Sequence, residues 1–137
     1  MAKKILIMGL PGSGKTSLAK LLAPMFNAVR LNADEVRKEA NDWDFSEMGR
    51  SIQANRMKRL ADEAIQSNRN VVADFVCPTE HTREDFNADY IIWMDTIKES
   101  NYKDTDRIFE APSDVNLRIT KWNQYSPLEI ADFISNV

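Results

Sequence analysis

Several ingredients are scarce in this chain. A single cysteine, Cys77, excludes an intramolecular disulfide framework and points to a reducing compartment, with the cytoplasm as the expected location. Positive charge is not in excess: 18 Lys and Arg stand against 21 Asp and Glu, a net charge of −3, so any anion site must be local. Long apolar runs are missing too. The basic start is followed by an apolar run of only four, Ile5 to Met8, too short for a signal-peptide core or a membrane span. No internal repeat or low-complexity tract marks a linker. The one histidine, His81, has no Cys or acid pair at ligand spacing and reads as a surface helix residue. Trp43, Trp93 and Trp122 are too dispersed to form a base-stacking platform.

What is present is ordinary globular material. With 137 residues and 43% apolar composition, residues 1–137 suit one domain with a sizeable core. Short apolar runs alternate with stretches of helical period, the pattern of a parallel sheet covered by helices. Strands are expected over Lys4 to Met8, Ala28 to Asn32, Asn70 to Phe75, Asp89 to Met94 and Asn116 to Thr120. Leu18, Leu21, Leu22 and Met25 stripe a first helix that Pro24 should end, and a long helix runs from about Ser46 to Ser67 with Met57, Leu60, Ala61, Ala64 and Ile65 on one face. Ser126, Pro127 and Glu129 read as N-cap, first helical residue and capping-box acid before Ile130, Phe133, Ile134 and Val137. Met8, Met25, Met48, Met57 and Met94 look like core filling. Thr96 to Ser113 is polar and without a period, a functional-loop candidate.

The chemistry starts at Gly9 to Thr16. GLPGSGKT matches G-x-x-x-x-G-K-[ST] between an apolar strand and an apolar-striped helix. Its physical logic is that glycines let successive backbone N–H groups converge on a phosphate at the positive end of the helix. Gly9, Leu10, Pro11, Gly12, Ser13, Gly14, Lys15, Thr16 and Ser17 are therefore the expected ATP-binding residues, with Lys15 on the β- and γ-phosphates and Thr16 on Mg²⁺. Asp74, closing the run Val71 to Ala73, looks like a Walker-B acid holding the same Mg²⁺ through water. A guanine-specific N-K-x-D motif is absent, which argues against a GTPase. The expected fold is a three-layer α/β P-loop NTPase of the nucleotide-kinase type with a five-stranded parallel sheet.

Further blocks follow in order: Leu31-Asn32-Ala33-Asp34-Glu35-Val36-Arg37; Phe45-Ser46 with Arg50, Gln53 and Arg56; Phe75-Val76-Cys77-Pro78 with Arg83; and Tyr102 to Glu110. From Lys4 to about Pro112 this series resembles adenylyl-sulfate kinase, whose members carry D-G-D-N-x-R, G-F-S-x-x-D-R-x-E-N, F-I-S-P with a following D-R, and F-T-G-I-D-x-x-Y-E. The resemblance implies transfer of the ATP γ-phosphate to the 3′-hydroxyl of adenylyl sulfate in a cytoplasmic sulfate-assimilation enzyme. By matching position, Lys15 and Asp34 would be catalytic, Asp34 serving the acceptor hydroxyl. Arg37 and Arg50 would hold the phosphosulfate, Phe75 and Tyr102 would stack on the adenine, and Gln53 and Arg83 would complete the acceptor site. Asn32 and Ala33 stand where that family has Asp and Gly, and its long basic lid is cut to Thr96 to Asn101, with Lys98, Lys103 and Arg107 as local cations.

The residues alone leave other readings open. Asp34 could cap a helix over Glu35 to Ala40, Asp74 could cap the helix after its strand, the arginines could be solvated helix charges, and Phe75 could be a core aromatic. At the level of function, small phage-type kinases acting on a hydroxyl of a nucleotide, a polynucleotide or a hydroxymethylated DNA base are the alternative, and the only reading that brings in nucleic acid. A nucleotide-binding module without phosphoryl transfer is the third. The expected partner is a small molecule and not a membrane; oligomeric state is not legible.

Overall fold

The computed structural model describes residues 1–137. Along the chain run β1 (Lys4–Met8), α1 (Lys15–Met25), β2 (Val29–Asn32), α2 (Ala33–Ala40), α3 (Glu47–Gln66), β3 (Val71–Asp74), α4 (Glu80–Phe86), β4 (Tyr90–Met94), α5 (Lys103–Ile108), β5 (Leu117–Ile119) and α6 (Pro127–Ser135). The strands form one five-stranded sheet, all parallel, in the order β2-β3-β1-β4-β5. This is the three-layer α/β P-loop kinase fold.

Strand β1 is central and wholly buried because its neighbours cover both faces. Ile5 and Ile7 pack with Leu18, Ala19, Leu22 and Ala23 of α1 and with Ile130 and Ile134 of α6. Leu6 and Met8 face the other way, toward Val36, Met57, Ala61 and Phe86. The alternation follows from strand geometry, in which successive side chains leave opposite faces. All carboxyl ends of the strands therefore open on one rim, where loops can meet.

The expected strands fall within a residue or two of their observed bounds, and the long helix and the capping box at Ser126 and Glu129 are present. Four expectations need correction. Leu21 and Met25 are exposed, because the face of α1 that packs on the sheet is rotated from the stripe toward Ala19 and Ala23. Met48 is exposed near the start of α3, so neither it nor Met25 fills core. Phe133 of α6 is only partly covered, packing on Tyr125, and Val137, beyond the end of α6, is exposed. Finally, the loop over Thr96 to Ser113 contains α5, which buries no residue and so left no apolar period to read. No helix is long and apolar enough to cross a membrane.

Candidate active site

The segment between β1 and α1 turns tightly at the rim. Gly9 has φ of +149°, and a β-carbon there would strike the Met94 carbonyl, so only glycine lets the loop lie against β4. Gly14, at φ of +102°, caps α1, and the indole of Trp122 lies where a β-carbon would be. Thr96 Oγ1 donates to the Ser13 carbonyl at 2.7 Å, clamping the loop from the β4 side. Lys15 Nζ donates to the Leu10 carbonyl at 2.8 Å, across the mouth of the loop. Burial lowers the Lys15 pKa to about 8, against the raising fields of Asp74 and Asp34. Gly12, Gly14, Lys15, Thr16, Ser17 and Trp122 line a cavity of about 300 Å³. The buried Ser13 hydroxyl has no partner.

Beneath this cradle the ends of three elements meet. Thr16 Oγ1 donates to Asp74 Oδ1 at 2.8 Å, and Asn32 Nδ2 donates to Thr16 Oγ1 at 3.0 Å and to Asp74 Oδ1 at 2.8 Å. Asp74 is 2% exposed, and its second oxygen, Oδ2, is buried without a partner. Burial raises the Asp74 pKa, opposed by the bonds from Thr16 and Asn32 and by the charges of Arg30 and Lys15. A carboxylate oxygen with no donor, beside a hydroxyl at the start of a phosphate-cradling helix, fits a hydrated Mg²⁺ that also binds phosphate oxygens. Asp74 caps no helix, since Thr79 serves α4.

The acceptor-side residues are distributed differently from one another. Asp34 lies exposed in the first turn of α2 and takes no part in the cap, which Asn32 supplies by accepting from Glu35 N at 3.0 Å. Its charge acts on both Lys15 and Arg37. Arg37 is 4% exposed, donates to the carbonyls of Asp42 and Asp44 at 3.0 and 3.1 Å, and stacks on Phe45. Burial lowers its pKa more than Asp42 and Asp34 raise it. Arg50 is half-buried and reaches Thr105 of α5 at 3.3 Å. Gln53 donates to the Ala33 carbonyl at 3.0 Å and accepts from Arg56, which also pairs with Asp42.

Phe75 is buried edge-on to Phe86 in the second core cluster, while Tyr102 stands 63% exposed at the start of α5. Arg83 is committed to the chain itself, donating to the carbonyls of Cys77, Pro78 and Glu110, pairing with Glu80 and stacking on Phe109. Cys77 carries a left-handed backbone at φ of +47°, and burial pushes its thiol up to about 12, so it is not a nucleophile at neutral pH. The structure thus brings Asp74 against Thr16 at the start of α1, sets the charges of Asp74 and Asp34 on Lys15, and draws Arg83 and Phe75 into packing. Asn32, Thr96 and Trp122 belong to the site without having been expected there. Only Asn32 had a readable signal, an amide just before an acidic helical turn.

A family model for the AAA domain matches residues 5–88, which includes the loop, Asp34 and Asp74. The chain belongs to that AAA domain family. No curated protein matches it. Among solved structures, this AAA domain is similar to the APS kinase CysC of Mycobacterium tuberculosis in complex with AMPPNP and APS, at 22% identity over 98% of this chain and 96% of that one, with a TM-score of 0.68. A sugar kinase from Janibacter sp. HTCC2649 gives 13% identity over 96% and 91% of the two chains, with a TM-score of 0.72. Shikimate kinase from Acinetobacter baumannii gives 18% over 99% and 92%, with a TM-score of 0.60. The AAA domain therefore shares its fold with kinases of unlike acceptors.

Proposed function

We propose that the chain is an ATP-dependent kinase that transfers the γ-phosphoryl group to an alcohol hydroxyl, with the 3′-hydroxyl of adenylyl sulfate as acceptor. The observation that supports the reaction type is the hydrogen bond from Thr16 to Asp74 beside Lys15, on which the Asp34 carboxylate also acts. Asp34 accepts the hydroxyl proton as that oxygen bonds to the γ-phosphorus, and the β,γ-bridging oxygen leaves with its electron pair on ADP. Lys15 offsets the charge that builds on the bridging and γ-oxygens, and the N–H groups of the loop hold the chain of phosphates still. When bound, Mg²⁺ held by Thr16 and, through water, Asp74 would neutralise the β- and γ-oxygens.

The acceptor assignment rests on the exposed Tyr102 ring and the half-buried cation Arg50, which suit a planar base with an anionic tail. The engagement of Arg37 with Asp42, Asp44 and Phe45 supports a second reading, a less anionic acceptor such as a nucleoside, a polynucleotide end or a hydroxymethylated base. Radiolabelled ATP offered with adenylyl sulfate, nucleosides, oligonucleotides and hydroxymethylated DNA decides between them. Product phosphorylated at the 3′ position of adenylyl sulfate is expected. Label on another acceptor refutes that substrate, and ATP binding with no transfer to any acceptor refutes the kinase.

A further inference from the structure

We infer that the corner between α2 and α3 is a docking surface for a basic, apolar-anchored segment of a partner protein. The inference goes beyond the kinase reading and does not depend on it, because the exposed residues that carry it, Trp43, Phe45, Met48 and Ile52, take no part in the proposed phosphoryl transfer.

These four apolar side chains are between 46% and 73% exposed. Met48 and Ile52 stand one turn apart on α3, away from the face that buries Gly49, Gln53, Met57 and Ala61, and their row continues in the polar, exposed Asn55 and Arg59. Trp43 and Phe45 are presented by the turn 41–46, which is fastened to both helices. Asp42 pairs with Arg56 at 2.9 Å and accepts from Asp44 N, Ser46 N donates to Asp44 Oδ1, and a β-carbon at Gly49 would strike the Asp44 carbonyl. Arg37 donates to the carbonyls of Asp42 and Asp44 and lies 4.2 Å from the Phe45 ring centre. The buried guanidinium therefore builds this platform, and a surface fixed in advance loses little entropy on binding. Trp, Phe and Met are residue types enriched at interfaces. Charge decides what binds. Residues 33–52 hold six acids, Asp34, Glu35, Glu39, Asp42, Asp44 and Glu47, against three bases, Arg37, Lys38 and Arg50. The resulting −3 equals the net charge of the whole chain, so the rest of the molecule is balanced. A polyanion or an anionic lipid surface is repelled here, and a second copy would set like charges face to face. A segment with Lys or Arg around an apolar anchor complements both features.

The test measures binding of fluorescently labelled peptides to the full chain by anisotropy. One amphipathic helical peptide carries leucines on one face and lysines on the other, a second has glutamates in place of the lysines, and a third keeps the lysines but has glutamines in place of the leucines. Only the first is expected to bind, and more weakly as salt is raised. Trp43→Ala and Met48→Ser, at exposed positions, should each weaken it about 10-fold with Tm unchanged, whereas Leu128→Ser, at an exposed apolar position on α6, leaves it unaltered. Equal binding of the second or third peptide, binding of the first that is indifferent to Trp43 and Met48, or no binding at all overturns the inference. Sedimentation that shows a dimer, or vesicles of anionic phospholipid that capture the chain, with either lost in Trp43→Ala, identifies another occupant and likewise overturns it. None of these measurements reads phosphoryl transfer, so a failure here is told apart from a failure of the kinase reading.

Discussion

The Lys15 ammonium lies against the backbone of its own loop, where desolvation brings its pKa down to about 8. Only the protonated form attracts phosphate, so ATP affinity should be flat at neutral pH and weaken as pH rises through about 8, a dependence that Lys15→Met abolishes in calorimetric titrations. Stability runs the other way. The unfolded chain holds the Lys15 proton up to the ordinary lysine value of 10.5, so between about 8 and 10.5 it binds more protons than the native state, and native stability gains from this residue as pH rises across that window. Turnover of Lys15→Ala should fall by the equivalent of ~3–4 kcal/mol of transition-state stabilisation, measured as kcat/KM. The two acids divide by what surrounds them. Asp34→Asn is expected to lose turnover with ATP affinity kept, whereas Asp74→Asn also raises the Mg²⁺ concentration needed for half-maximal rate. Phe75→Ala should lower Tm and impair both substrates, because its ring is core, while Tyr102→Ala should leave Tm unchanged and raise only the acceptor KM. An equal fall in Tm for both would remove Tyr102 from the acceptor site.

Elements separate what pattern could reveal from what it could not. The glycine-rich loop was legible because its chemistry is local: three glycines, a lysine and a hydroxyl within Gly9 to Thr16, between a strand and a helix. Helices α4 and α5 are short, at seven and six residues, and no side chain caps α5. Such pieces form because the chain around them is held, which composition does not display. Arg83 illustrates the point. Motif position suggested an acceptor ligand, but the guanidinium stitches α4 to the turn at Cys77 and Pro78 and to Glu110 beyond α5. Removing it would leave the buried Cys77 carbonyl unpaired and strip the cation from the Phe109 ring, so Arg83→Ala should cost about 3 kcal/mol and lower Tm by roughly 10 °C in a calorimetric scan. Trp122 was illegible for the opposite reason: nothing near it in sequence hints at Gly14, and only the return of the chain through β5 brings the two together.

Over the whole molecule, the fold was readable because each buried strand is a short apolar run and each covering helix carries a stripe, so the order of elements already specified a parallel sheet. The order of strands within it was not encoded in any local pattern. It places β1 in the centre, paired with β3 from Val71 onward and with β4 from Tyr90 onward. That has a consequence for how the protein comes into being. Of the five strands Lys4–Met8 is made first, and it has no partner until Val71–Asp74 have been made and only one until Tyr90–Met94 follow. At a synthesis rate of about 5–20 residues per second, this apolar segment waits for several seconds with both edges bare. The phosphate loop that follows it cannot take shape during that interval, since Met94 and Thr96 form part of its wall. Nascent chains stalled before β3 should therefore be captured by holdase chaperones through Ile5 to Met8, and those stalled after β4 should escape.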